Sequence, residues 1–253
     1  MSPYIIQLNY DYTTESYSLL TDTDWPNNSK LPLIIYRNTV ILNDTVQQNS
    51  MLLAEYYESL FCSNSWYVHR RAGMFDTHHY HSAAHECLAV YTGTATIQFG
   101  SDRSVEDHNN GVESHELYTR VLTVTQGDII IIPSGIGHHS ISGTSNFMMC
   151  GGYPVSQSRD ICYINEMNDI GCDVMIQRIN NVPLPITCPI YNTSGTINQL
   201  WNIDTNKINN NHNNIDLNRT QLRIPNPSPR AVSMGNTPTF SNIQHSTQQQ
   251  IIA

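Results

Sequence analysis

Between Trp66 and Tyr153 the apolar residues come in short runs, each closed by turn residues. Glu86 to Tyr91 ends at Thr92-Gly93, and Thr94-Ala-Thr-Ile-Gln-Phe99 alternates and stops at Gly100. Arg120-Val-Leu-Thr-Val124 ends before Gly127, Asp128-Ile-Ile-Ile-Ile132 runs into Pro133-Ser-Gly135, and Phe147-Met-Met-Cys150 meets Gly151-Gly152. Period-two alternation with Gly or Pro at the ends is a strand pattern, and several such strands at turn-bounded intervals predict a sandwich or barrel. Upstream, Leu31-Pro-Leu-Ile-Ile-Tyr36 reads as an edge strand, because Pro32 has no amide to donate. Ser50 to Phe61 reads as a helix capped by Ser50, with Leu53, Tyr56, Tyr57 and Leu60 forming one apolar face for core packing. Residues 102–118 have no apolar period and read as a surface loop.

Composition changes this picture at one end. From Asn202 the chain turns to Asn, then to a Pro/Ser segment around Pro225 to Pro229, then to Gln248-Gln249-Gln250. Such a stretch has little to bury, so residues 204–253 are predicted to be disordered, more simply as a tolerated extension than as a regulatory segment. Only 13% of the 253 residues are charged, which argues against charge-laced helices. The net charge of −9 argues against a nucleic-acid partner, since phosphates call for Lys and Arg, and against docking on an anionic membrane surface. No apolar run approaches the roughly 20 residues that cross a bilayer. Met1 to Tyr12 lacks the basic and apolar regions of a signal peptide. The 6 Cys form no CxxC pair, which excludes a zinc ribbon and suits free thiols in the reducing cytoplasm.

Histidine carries the chemical signal. Six of the 11 fall in two clusters, Gly73-Met-Phe-Asp-Thr-His78-His79-Tyr80-His81-Ser-Ala-Ala-His85-Glu86 and Gly127-Asp-Ile-Ile-Ile-Ile-Pro133-Ser-Gly135-Ile-Gly-His138-His139. On an extended segment His79 and His81 share one face, about 6–7 Å apart at Cα, close enough to reach one ion. If Glu86 points inward, Leu88 and Val90 follow it, while Cys87 and Ala89 point away. His138 follows a Pro-x-Gly turn, so a different strand can deliver it to the same place. Three imidazoles and a carboxylate suit Mn, Fe, Ni, Zn or Cu, and four ligands on a six-coordinate ion leave two positions open for a substrate.

These residues resemble the two motifs of the cupins, a double-stranded β-helix of the jelly-roll class. The first motif is matched at every spacing by Gly73, His79, His81, Glu86 and Gly93, and the second by Gly127, Pro133, Gly135 and His138. The final Asn of the second motif is Ser142 here, a departure that touches packing more than metal binding. The resemblance implies that His79, His81, Glu86 and His138 are ligands of one divalent transition metal. Leu31 to Arg37, His79 to Glu86 and Val182 to Tyr191 further resemble a group of single-domain cupins of bacteria and fungi with no secure substrate. On that resemblance residues 1–24 are an N-terminal extension and residues 25–203 a single cupin domain. The resemblance also implies a homodimer, for which an exposed edge near Leu31 to Tyr36 would be the physical motive.

The predicted fold is therefore all-β, a cupin jelly roll with one short N-terminal helix and a disordered C-terminal tail. Around the quartet, His78, His85 and His139 should face away from it, in ordinary hydrogen bonds or supporting the ligands. Arg70, Arg71 and Asp76 read as surface charge or ion pairs, although an arginine could grip a carboxylate substrate. Tyr91 and Cys87 point outward and are not catalytic candidates. The leading function is a metalloenzyme acting on a small oxygen-rich molecule by dioxygenation, decarboxylation or isomerisation. A third imidazole makes a 2-oxoglutarate oxygenase a poorer match. The alternative is a barrel that binds or senses a small ligand without turnover, and a storage role ranks last.

Overall fold

A computed structural model describes residues 6–21, 25–42, 49–101, 117–163 and 171–203. The predicted loop over 102–118 lies almost wholly outside these residues, and the predicted disordered tail lies wholly outside them. The strands are β1 (Gln7–Leu8), β2 (Thr13–Tyr17), β3 (Leu33–Arg37), β4 (Val40–Ile41), β5 (Trp66–Ala72), β6 (Glu86–Thr92), β7 (Thr94–Gly100), β8 (Thr119–Thr125), β9 (Ile129–Ile132), β10 (His138–Gly143) and β11 (Met148–Pro154). The helices are α1 (Ser50–Ser63), α2 (Cys172–Asn180) and α3 (Ile197–Leu200). None of the described helices is long and apolar enough to cross a membrane.

All strand pairings are antiparallel. A six-stranded sheet runs β2-β3-β9-β6-β11-β5, a three-stranded sheet runs β10-β7-β8, and β1 pairs with β4. The crossed strand order within two antiparallel sheets is the jelly-roll arrangement. Residues 7–17, within the stretch expected to precede the domain, supply β1 and the end strand β2.

The two sheets differ in what covers them, and the sequence pattern follows. Between them lie Leu33, Ile35, Leu88, Val90, Ile97, Phe99, Ile130 and Ile132. Behind the large sheet a second core packs Ile34, Tyr36, Cys87, Ala89, Ile129 and Ile131 against Leu53, Tyr57 and Phe61 of α1 and against Tyr191, Ile197 and Trp201. The central strands of the large sheet are thus buried on both faces, which is why β3 and β9 read as unbroken apolar runs. The small sheet has one wet face, so β7 alternates: Ala95, Ile97 and Phe99 are buried, while Thr94 and Thr96 pair with Thr125 and Thr123 across the outer face.

Three expectations are corrected. The Leu31–Tyr36 segment is not an edge: β3 begins at Leu33, after Pro32, and pairs with β2 on one side and β9 on the other. The proline only starts the strand, and the exposed edge offered as the motive for a homodimer is absent there. The cap position of α1 is Asn49 rather than Ser50, with no side-chain capping bond, while the expected apolar face is buried as predicted. Two helices, α2 and α3, follow the barrel in addition to the one expected before it.

Candidate metal centre

The site is assembled where the two histidine clusters meet. His79 and His138 face each other as an isolated antiparallel bridge, exchanging both backbone bonds: His138 N donates to His79 O at 2.8 Å and His79 N to His138 O at 3.3 Å. A directly opposed pair puts both side chains on one face. One residue further on, Tyr80 turns the other way and exchanges backbone bonds with Cys162, its ring buried with Trp25, Met175 and Ile179. His81 then returns to the face of His79, and Gly135 N donates to its carbonyl at 2.8 Å. Gly135 has φ +88°, and a Cβ there would lie 2.4 Å from the Asn27 carbonyl oxygen, so the turn that launches His138 requires glycine. Glu86 enters from the first position of β6, paired with Ile132.

The four side chains converge and are buried. The ligating atoms of His79, His81 and His138 lie within 4.8 Å of one another. Glu86 Oε2 closes the group at 3.2 Å from His81 Nε2 and 3.1 Å from His138 Nε2. Each imidazole is oriented by a carbonyl at its far nitrogen: Thr77 O is 3.0 Å from His79 Nδ1, Ile136 O is 3.1 Å from His138 Nδ1, and Asp160 O meets His81 Nδ1. A carbonyl can only accept, so Nδ1 of each ring carries a proton and Nε2 faces the centre, as a lone pair whenever the ring is neutral.

The electrostatics follow from this crowding. Burial, reinforced by His138 and His81, pushes His79 down to about 2, so it stays neutral. Burial alone would raise the Glu86 carboxyl, but His81 and His138 outweigh it and hold the group well below the carboxylate range. Glu86 Oε1 accepts a hydrogen bond from the Tyr153 hydroxyl, whereas the buried Oε2 has no hydrogen-bond partner. Burial and the neighbouring Glu86 charge push the Tyr153 hydroxyl up, so it remains a donor. Arg159 Nε in turn donates to the Tyr153 oxygen at 3.1 Å. A pocket lies against His79, Glu86, His138 and Tyr153.

The flanking residues sort as the alternation predicts. His78 stacks on Trp25 and sits beside His139, with ring centroids 4.0 and 4.5 Å away, on the far side of the strand. His85 is fully buried and accepts from Ser134 N at 2.9 Å. Arg71 pairs with Glu58, an ion pair as expected. Cys87 is buried in the core behind the sheet.

Tyr153, Arg159 and Asp160 were not singled out in the sequence. Period-two counting would have found Tyr153, because Met149, Gly151 and Tyr153 share the pocket-facing side of β11. Ending the strand at the Gly151-Gly152 pair hid it: β11 continues through both glycines to Pro154. Asp160 has no periodic signal, since it acts from a loop through its backbone oxygen and through a carboxylate that accepts from Ser82 and Ala83 N–H.

Comparison with known proteins agrees with this geometry. The model of the family described as Cupin matches residues 62–154. Uncharacterized protein YjlB of Bacillus subtilis (strain 168) is 27% identical over 188 residues, covering 74% of this chain and 96% of its own. RmlC from Streptococcus suis, solved with dTDP-D-xylose, is 13% identical with a TM-score of 0.27, covering 61% of this chain and 75% of that one. The Lactobacillus farciminis oxalate decarboxylase formate complex is 8% identical with a TM-score of 0.27, covering 71% of this chain and 41% of that one. The chain spans less than half the length of the first solved chains it matches. Superpositions this loose carry no weight for function, and the fold rests on the strand order itself. Residues 62–154 thus match the Cupin family model, and both histidine motifs at their spacings and the jelly-roll strand order agree with that match.

Proposed function

We propose that His79, His81, Glu86 and His138 hold one divalent transition-metal ion, and that the chain is a metalloenzyme acting on a small oxygen-rich molecule. One observation carries this reading. Three Nε2 atoms, aimed by carbonyls at the opposite nitrogens, converge on a buried carboxylate oxygen to which no hydrogen bond is made in this arrangement. Lone pairs 3.1 and 3.2 Å from an anion repel unless a metal cation or a proton on Nε2 lies among them, and a metal ion is what would satisfy all three neutral rings and the carboxylate at once. A donor set of three imidazoles and one carboxylate suits Mn, Fe, Ni or Zn. When bound, such an ion supplies Lewis acidity or a centre for oxygen chemistry to a substrate in its open positions. The chain orients the imidazoles, leaves Glu86 Oε2 facing the centre by engaging Oε1 with Tyr153, and shields the site from bulk water. Dioxygenation, decarboxylation and isomerisation all remain consistent with this arrangement.

A second reading is binding or sensing without turnover. It is favoured by the state of Tyr153, whose hydroxyl is committed to Glu86 and Arg159 rather than free to move a proton. The cysteines among the described residues are all free thiols, which supports a reducing, cytoplasmic setting. We propose residues 25–203 as the body of the domain, with β1 and β2 of residues 7–17 adding strands to its sheets. Pairing of two copies through sheet edges would use the end strands β2, β5, β8 or β10.

The test is metal content by ICP-MS on wild type, His79→Ala and His138→Ala. Near one equivalent of a single transition metal is expected, lost in both variants while circular dichroism keeps the β signature. A wild type that stays metal-free after reconstitution with Mn, Fe, Ni and Zn would overturn the metal reading.

A further inference from the structure

The pocket beside the quartet is bordered by cations that no described side chain neutralises. On a regular strand His69 and Arg70 would face opposite sides of the sheet. The register between β5 and β11 slips here: Gly151 opposes Arg70 and Gly152 opposes Val68, so His69 is the extra residue of a β-bulge. The bulge re-aims the strand, and both His69 and Arg70 line the pocket. Arg70 lies over the Phe75 ring, 5.4 Å from its centroid. Arg159 stands beside the pocket through its bond to Tyr153, with its guanidinium carbon 5.9 Å from that ring. Burial, then Arg159 and Arg70, hold His69 below the usual imidazole range, as expected if both cations border the same space.

The other described ion-paired arginines have carboxylates: Arg37 has Glu15 and Asp128, Arg71 has Glu58, and Arg178 has Asp160. Among the described residues, no carboxylate pairs with Arg70 or Arg159. The pocket's own carboxylate, Glu86, accepts from Tyr153 through Oε1 and turns Oε2 toward the imidazoles rather than toward either arginine. Gly151 keeps the wall open next to it, since a Cβ there would sit 3.6 Å from Leu88 and 3.7 Å from Glu86 Oε1. Phe75, Leu88 and Met149 make the rest of the lining apolar.

We propose that this pocket binds a small carboxylate anion, gripped by Arg70 and Arg159 with its short carbon chain against Phe75 and Met149. Two guanidiniums beside the apolar part of the wall recognise a carboxylate through charge-assisted, planar hydrogen bonds. This deepens the proposed function by naming the substrate class, and it rests on that reading only for the metal beside the anion.

The experiment is calorimetric titration of the full-length, metal-loaded chain with lactate, malonate and the neutral analogue lactamide, with metal content measured on every sample. At least one carboxylate should bind with Kd of ~1 mM or tighter, and lactamide at least ~10-fold more weakly than lactate. Arg70→Gln should lose ~10-fold in carboxylate affinity at unchanged metal content, and Gly151→Val should block binding by filling the wall. Full metal with no carboxylate binding up to ~10 mM, or with equal affinity in Arg70→Gln and Arg159→Gln, overturns the anion pocket and leaves the metal site standing. A metal-free chain that still binds carboxylate in an Arg70-dependent way supports the anion pocket and overturns the metal reading alone.

Discussion

His85 shows how one side chain links the two halves of the site. It precedes Glu86 in sequence but faces the opposite core, its ring centroid 4.9 Å from that of Trp201. Its Nδ1 accepts from Ser134 N, in the turn that leads to His138, and its own N–H donates to Gln157. A ring accepting at Nδ1 carries its proton on Nε2 and is neutral. Burial pushes it down to about 3, from 6.5 in the absence of the fold. The unfolded chain therefore binds the extra proton between those values, so stability is present above the unfolded pKa and drains away as pH falls toward the folded one. From pH 7 to pH 5 this one residue should cost about 2 kcal/mol. Urea unfolding across that range should give a shallower pH slope in His85→Asn than in wild type. Equal slopes would assign the acid sensitivity elsewhere. The spacing of the two motifs identified the four converging side chains, but not this contact or the carbonyls behind the imidazoles. Those partners are set by loop paths, which leave no periodic trace.

At the level of elements, β3 shows the limit of a local rule. Pro32 argued for an edge, yet the proline sits just before the strand and β2 covers the side it would have left open. The device that secures this pairing is Arg37. Its guanidinium bonds Glu15 on β2 at 2.8 Å and buried Asp128, ahead of β9, at 2.8 Å. Asp128 also accepts from Thr125 N at 3.0 Å, closing the turn between β8 and β9. Removing the arginine strands a buried carboxylate, whereas the more exposed Glu15 is screened by water. Arg37→Met should therefore destabilise the fold by ~3 kcal/mol in denaturant titration, and Glu15→Gln by under ~1 kcal/mol. A reversed order would show that Asp128 is held by its backbone donors alone. The ion pair that ties β3 to the turn before β9 joins Arg37 and Asp128, 91 positions apart, and no local window of sequence contains both.

For the whole molecule, an ion bound only by the folded state adds stability in proportion to the logarithm of its free concentration. At about 100 times Kd the gain should be ~2.7 kcal/mol, enough to raise Tm by several degrees, and a chelator should reverse it. His81→Ala should show no metal-dependent shift in the same melt, and a shift equal to wild type would place the ion elsewhere. The strands from Trp66 to Tyr153 and the face of α1 were legible because burial on one side or two imposes a period of two, an unbroken apolar run, or helical spacing on the local sequence. His79, His81, Glu86 and His138 were legible because each stands at a fixed offset from a glycine turn. Tertiary structure alone decided that β2 caps β3, that Tyr153 and Arg159 stand behind Glu86, and that a bulge turns His69 and Arg70 into one pocket. Local pattern records which way a side chain must face to leave water. What it meets on arrival depends on strands distant in sequence, and that information lies only in the assembled chain.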